Sequence, residues 1–344
     1  MRRLLVLLLL GSSPLPADEV RPPIIDMHLH ALPANAQGPP PLGLCAPFEA
    51  FSAWDQSGPY AGSFMALLKE PPCDDPLWSP ETDAELMHDT LEELKRLNVI
   101  GVVSGLPEDV AAWCSAAPER LIPALSFTLG GDPRNTPANL RADFEAGRFR
   151  VFGEIGNQYA GIAPDDERME PYWALAEELD IPVGIHIGPG PPGAPYLGTP
   201  HYRARLHSPL TLEEVLVRHP GLRIYVMHAG FPMLDDMLAV LYAHPQVYVD
   251  LGVIAYTQPR AAFYRFLRGL VEGGFGKRIM FGSDQMVWPG AIERAITAIR
   301  EAPFLTEELR RDIFYENAAR FLRLDEEERA RHDGLSRPPP LHGE

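Results

Sequence analysis

Two histidines two positions apart close an apolar run in "IIDMHLHA" (24–31), and the same ending recurs along the chain. "VFGEIG" (151–156) carries Glu154, "IPVGIHIG" (181–188) His186, "RIYVMHAG" (223–230) His228 and "RIMFGSD" (278–284) Asp284. Side chains alternate along a strand, so His28 and His30 point the same way. His-x-His alone is a weak signal, because any half-buried strand can show it. The weight lies in the recurrence: four histidines and two carboxylates end apolar runs. Neutral imidazole and carboxylate are the donors that Zn²⁺ and similar divalent ions accept. His28, His30, Glu154, His186, His228 and Asp284 are therefore the predicted metal ligands. An ion held there acidifies water and polarises a carbonyl or phosphoryl oxygen. Asp284 would move the proton of the attacking water to the leaving group, and His228 would meet charge on the attacked oxygen. Hydrolysis of an amide, ester or lactone of a small molecule is the leading expectation. A non-oxidative decarboxylase would use the same residues on a carboxylate-bearing substrate, with protonation at carbon. A metal-binding barrel without catalysis would need no proton carrier.

The elements that must position these residues follow from the hydrophobic pattern. The five runs above are joined by "VIGVVSG" (99–105), "LIPALSF" (121–127) and "VYVDLGVI" (247–254). Amphipathic segments lie between them, at 81–98, 165–180, 211–220 and 291–302. In the first, Leu86, Thr90, Leu94 and Leu97 keep the helical period, with acids early and Lys95-Arg96 late, as the helix dipole favours. Eight short strands alternating with helices predict an α/β chain folded as a (β/α)8 TIM barrel, a single domain over 22–324 with a long first βα loop. A doubly wound sheet is the alternative, but no Gly-x-Gly-x-x-Gly follows the first strand. In a barrel, all six candidates stand at carboxyl ends of strands, where such folds build their sites.

"DMHLH", "GEIG", "GIHIG", "MHAG" and "FGSD", in this order, resemble the metal-dependent amidohydrolase superfamily. The similarity is strongest to the amidohydrolase-related branch that also holds aminocarboxymuconate-semialdehyde decarboxylase-like enzymes. It runs from Ile24 to Leu324 and includes "NAARFLRL", similar to the closing helix of that branch. The resemblance implies metal ligation by His28, His30, His186 and Asp284, with His228 either a ligand or the residue that polarises substrate. Many two-metal members carry a carbamylated lysine on the fourth strand, where this chain has Glu154. Glu154 thus either bridges two ions or orients a ligand of one. A divalent metal, one or two ions and zinc first, is the implied cofactor.

Charge and termini narrow the partners. A net charge of −17, from 30 basic and 47 acidic residues, repels phosphate backbones and anionic membranes. No nucleic acid is expected, only a small-molecule substrate; the oligomeric state stays open. "MRRLLVLLLLGSSPLPA" (1–17) has the layout of a cleaved secretory signal, too short to span a bilayer, so the mature protein is expected in the periplasm or medium without a stable membrane span. In an exported chain Cys45 and Cys73 could pair, and Cys114 reads as a small buried residue. Residues 325–344 read as a flexible, charged, Pro-rich tail. The Gly/Pro-rich loop after the fifth strand offers Arg203 and Arg205 for a substrate anion. Trp288 could stack on substrate, and Trp54 and Tyr60 could form a lid.

Overall fold

The computed structural model describes residues 21–51 and 53–335. Eight parallel strands follow one another around a barrel in chain order. They are β1 (Ile24–Ala31), β2 (Val99–Gly105), β3 (Leu121–Phe127), β4 (Val151–Ile155), β5 (Val183–His186), β6 (Ile224–Met227), β7 (Val247–Asp250) and β8 (Ile279–Met280). Closure between the last strand and the first comes from Met27 N donating to Phe281 O at 2.9 Å and Asp284 N to His28 O at 2.6 Å. Every apolar run singled out in the sequence contains one of these strands. Parallel neighbours need a crossover, which is why helical segments separate them.

The periodic segment at 81–98 forms the helix Asp83–Leu97 and buries Leu86, Thr90, Leu94 and Leu97. Thr82 and Glu85 close a reciprocal capping box, and left-handed Asn98 (φ 56°) ends the helix. The expected helices at 165–180 and 211–220 are shorter, Glu170–Glu178 and Glu213–Arg218. Each is preceded by a 3-10 turn, Glu167–Met169 and Pro209–Leu212, which takes up part of the predicted span.

Apolar packing divides into two bodies. One lies between strands and surrounding helices, with Val103, Phe152, Ile185 and Ile296 among its members. The other joins Ile25, Ile100, Ile122, Val151 and Tyr225, all near strand starts, to Tyr315, Ala318 and Phe321. This second cluster plugs the amino-terminal end and leaves the carboxyl end for polar chemistry.

The first βα connection carries the helix Tyr60–Lys69 and a small antiparallel ladder of Gly43–Leu44 with Leu77–Trp78. Cys45 and Cys73 are joined in a disulfide there. Cys114 is half-buried, and burial pushes its thiol up to about 11. The expectation of a flexible tail over 325–344 is corrected for its first part. Glu326–Gly334 is a helix, capped by a box between Asp325 and Glu328, with acids in its first turn and Arg331 and His332 in its last. It docks through buried His332, whose Nδ1 lies 3.1 Å from the Tyr315 hydroxyl, and through Arg150 to Glu328 at 2.9 Å. The charge pattern that suggested disorder is the pattern a helix dipole selects. Residues 336–344 and the expected signal at 1–17 lie outside the described residues. Among the described residues, no helix is long and apolar enough to cross a membrane.

Candidate metal centre

Each of the four strand-end histidines is held at one ring nitrogen by a neighbour. His28 Nδ1 lies 3.1 Å from Asp250 Oδ2, and His30 Nδ1 3.2 Å from Ser104 Oγ. His186 Nδ1 lies 3.1 Å from Gln158 Oε1, and His228 Nδ1 2.8 Å from the Gly252 carbonyl. The acceptors at Nδ1 of His28, His186 and His228 fix the proton there and leave the Nε2 lone pair for a metal, and the Ser104 hydroxyl can take either role towards His30. The rings gather closely: His28 and His30 centroids are 5.0 Å apart, His28 and His228 5.1 Å, His186 and His228 4.5 Å. Nε2 of His28 and of His228 are buried and make no hydrogen bond. Buried polar atoms are rarely left so without a reason.

The carboxylates meet these nitrogens. Asp284 Oδ1 stands 3.2 Å from His30 Nε2 and 3.7 Å from His28 Nε2, and Glu154 Oε2 stands 3.5 Å from His30 Nε2. Two overlapping sets of donor atoms lie within 4.8 Å of one another, His28–Glu154–His228 and His28–His30–Asp284. Five of the six predicted ligands are thus brought together. His186 adjoins His228, but its Nε2 is 2.9 Å from the Tyr159 hydroxyl.

Backbone geometry shows how tightly the ends are held. His228 (φ 61°) and Asp284 (φ 53°) are left-handed, a conformation that non-glycine residues hold at a cost and that gathers at functional sites. A Cβ at Gly252 would come within 2.6 Å of His28 Nδ1, so only glycine lets that loop approach the ring.

The electrostatics describe a place for a cation. Burial works against a charge on His28, yet Asp284, Asp250 and Glu154 together raise its pKa to about 10. The proton of His28 then sits where the donor set would take a divalent ion. Burial opposes ionisation of Asp284 too, but His28, His30 and His228 hold its carboxyl below the usual range. Burial, with His228 and His28 next, pushes His186 well below its ordinary value and keeps it neutral. Burial pushes the Tyr159 phenol well above its usual range, so its hydroxyl donates to His186. Nitrogen and oxygen donors, buried lone pairs and an excess of negative charge all fit a divalent metal.

Several residues of this network escaped the sequence reading. Asp250 accepts from His228 N and Gly252 N, each at 2.9 Å, while facing His28. Its sequence signal is an acid inside the apolar run "VYVDLGVI" (247–254), at the point where the strand ends. Gln158 pins His186 and the Gly188 backbone, and Gln285 pairs with both backbone groups of His30. Nothing in their spacing marks them.

A cavity of about 550 Å³ opens beside Asp284 and Tyr159 and is walled by Trp288, Met286, Phe231 and the Pro189–Gly193 turn. Trp288 is buried in that wall, with Nε1 donating to Leu42 O at 2.9 Å. Tyr60 also lines it, and its hydroxyl donates to Pro192 O at 2.8 Å, tying the first loop to the loop after β5. Trp54 packs edge-on against Tyr60 and at a tilt against Tyr196 farther out. Arg203 and Arg205 do not join the site. Both are exposed, neither lines the cavity, and Arg203 spends its guanidinium on the carbonyls of Pro200 and Tyr202. Their loop is held instead by Tyr202, which donates to Gly188 O and meets His207.

Comparison with known proteins agrees with this geometry. Structures similar to the chain include a 2,6-dihydroxybenzoate decarboxylase from Rhizobium, 15% identical over 88% of this chain and 99% of that one, TM-score 0.55. A probable 2-pyrone-4,6-dicarboxylic acid hydrolase from Acinetobacter baumannii is likewise 15% identical, over 87% and 98%, TM-score 0.55. A dihydroxybenzoic acid decarboxylase from Polaromonas with bound manganese is 15% identical over 67% and 83%, TM-score 0.50. At such identities these likenesses speak for the fold alone. No curated protein matches. The profile of the amidohydrolase family matches residues 25–324, the barrel with its strand-end histidines and aspartate, and the chain belongs to that family.

Proposed function

We propose that the protein is a metal-dependent hydrolase that cleaves an ester, lactone or amide of a small molecule. The observation that carries this reading is the place of Asp284, between the donor set and the cavity. Its carboxylate lines the cavity and stands 3.2 Å from His30 Nε2 and 3.7 Å from His28 Nε2, at the edge of the donor set. A carboxylate there is within reach of both a metal-held water and a leaving group in the cavity, and can carry a proton from one to the other.

His28, His30, His228, Glu154 and Asp284 would hold the ion, with His186 beside them. A divalent ion supplies Lewis acidity and acidifies water when bound. A single imidazole nitrogen has one lone pair, and Nδ1 of His28 is engaged by Asp250. The two donor sets that share His28 therefore describe one ion rather than two. Zinc suits the nitrogen-rich set.

In the hydrolytic step water oxygen forms a bond to the acyl carbon as its proton passes to Asp284. The bond to the leaving oxygen or nitrogen then breaks as Asp284 returns that proton to it. Tyr159, at the cavity edge, is placed to donate to the acyl oxygen once its hydrogen bond to His186 is given up. Trp288 offers an apolar wall for the substrate. Export belongs to the same proposal, and the Cys45–Cys73 bridge supports an oxidising compartment.

The test is a panel of esters, lactones, amides and aromatic acids given to metal-loaded protein, chelated protein and the Asp284→Asn variant. Hydrolysis by the loaded protein alone is expected, with kcat reduced about 10²–10⁴-fold in the variant. Activity that survives both chelation and Asp284→Asn contradicts the reading.

A further inference from the structure

The wall of the cavity says what kind of molecule it takes. Among the described residues lining it there is no lysine or arginine, and the one charged residue is Asp284. A second cavity of about 770 Å³ adjoins it under the first βα connection. Leu44, Phe48, Phe51, Tyr60, Phe64 and Leu68 line both. Each is large enough for a drug-sized ligand. The outer cavity is bounded by the Cys45–Cys73 bridge and by Glu49, Asp55, Asp74 and Asp75. Its one described cation, Arg294, donates to the Asp75 carboxylate.

A buried carboxylate needs a partner, and without one its burial is prohibitive. Away from the metal centre beside Asp284 the described lining offers no cation, and at the rim the charge is acidic. Apolar surface, by contrast, is continuous along the shared wall, and burying hydrocarbon there is favourable. We propose that the site takes an elongated substrate whose reactive group sits at Asp284 and whose uncharged hydrocarbon arm lies in the outer cavity beneath the disulfide-bridged loop. The nature of the reactive group rests on the hydrolytic reading; the place of the arm does not. The bridge between Cys45 and Cys73 then keeps the loop folded over the arm, and Tyr60, bonded to Pro192, forms the waist between the two cavities.

The experiment measures binding without turnover. Zinc-loaded protein is titrated with straight-chain methyl ketones from 2-octanone to 2-dodecanone, and with methyl ketones of matched length that carry a carboxylate at the far end of the chain. Each added methylene is expected to tighten binding about threefold. The carboxylates should bind at least about tenfold more weakly than the matched ketones. Ser63 lines the outer cavity alone, on an exposed position of the Tyr60–Lys69 helix. Ser63→Trp should flatten the series for the longer ketones. A series flat in the native protein, carboxylates that bind more tightly, or a steep series in Ser63→Trp overturns the proposal. Esters with the same chains are assayed in parallel. Chain-length-dependent binding with no ester hydrolysed sinks the hydrolytic reading alone, and hydrolysis indifferent to chain length sinks this one.

Discussion

Asp250 determines how His28 can serve a metal. One carboxylate oxygen receives two backbone N–H groups and the other faces His28 Nδ1, which leaves Nε2 bare at the centre of the site. In Asp250→Asn an amide N–H can turn towards Nδ1, reverse the tautomer and protonate Nε2. Metal affinity should then fall about 10–100-fold, as read by competition with a chromophoric chelator. An unchanged affinity would show that Asp250 does not orient the ligand. Glu154→Gln tests the single-ion assignment. The native protein should bind one equivalent of metal by elemental analysis, and the variant should bind it more weakly at unchanged stoichiometry. Two equivalents in the native protein, falling to one in the variant, would make Glu154 a bridge. The candidate ligands were legible because they end apolar runs and belong to residue types that metals need. Gln158, Ser104 and Gln285 were not. They act through side-chain direction in the folded barrel, and an amide or hydroxyl in a loop has no spacing that reveals its partner.

Elements were read well where a period repeats and poorly where local turns compete with it. The helix Asp83–Leu97 shows both its apolar face and its caps in sequence, whereas the 3-10 turns before Glu170 and Glu213 shorten helices that the pattern extends. The segment after 325 has the composition of a tail but the charge order of a helix, acids first and Arg331 and His332 last, and position rather than composition decides its structure. Its docking should depend on pH. Burial holds the His332 imidazole below its ordinary value of 6.5. The undocked helix therefore binds the proton more readily than the docked one, and docking, full above about pH 6.5, weakens as pH falls below it. Hydrogen exchange corrected for intrinsic rates should speed up over 326–334 between pH 7.5 and 5, and His332→Gln should remove the difference. Equal protection at both pH values in the native protein would refute the coupling. The bridge of the first βα connection spans 28 residues of sequence, a loop whose closure contributes about 3 kcal/mol in entropy estimates. Cys45→Ser with Cys73→Ser should make residues 45–73 the first site of limited proteolysis. Cleavage elsewhere first would place the weak point outside this loop.

At the scale of the whole molecule, the barrel gathers residues from seven strand ends and their loops into one site, while apolar packing closes the opposite end. That arrangement was foreseeable from order alone, since a parallel barrel lines up every strand's carboxyl end. Which substrate enters was not, because the cavity wall comes from loops whose contacts no local pattern encodes. Arg203 and Arg205 show the difficulty: close in sequence to His186, they end on the outside. The export proposal has a molecular-scale test in intact mass. Protein recovered from the native envelope or medium should begin near Asp18, and retained Met1 would contradict it. The central claim is that this site activates water against an acyl carbon, and isotope transfer tests it most directly. Metal-loaded protein is given a substrate that it turns over in ¹⁸O-labelled water, and the products are weighed by mass spectrometry. One labelled oxygen in the acid product is the predicted result; stoichiometric CO₂ with no label in the organic product would contradict it.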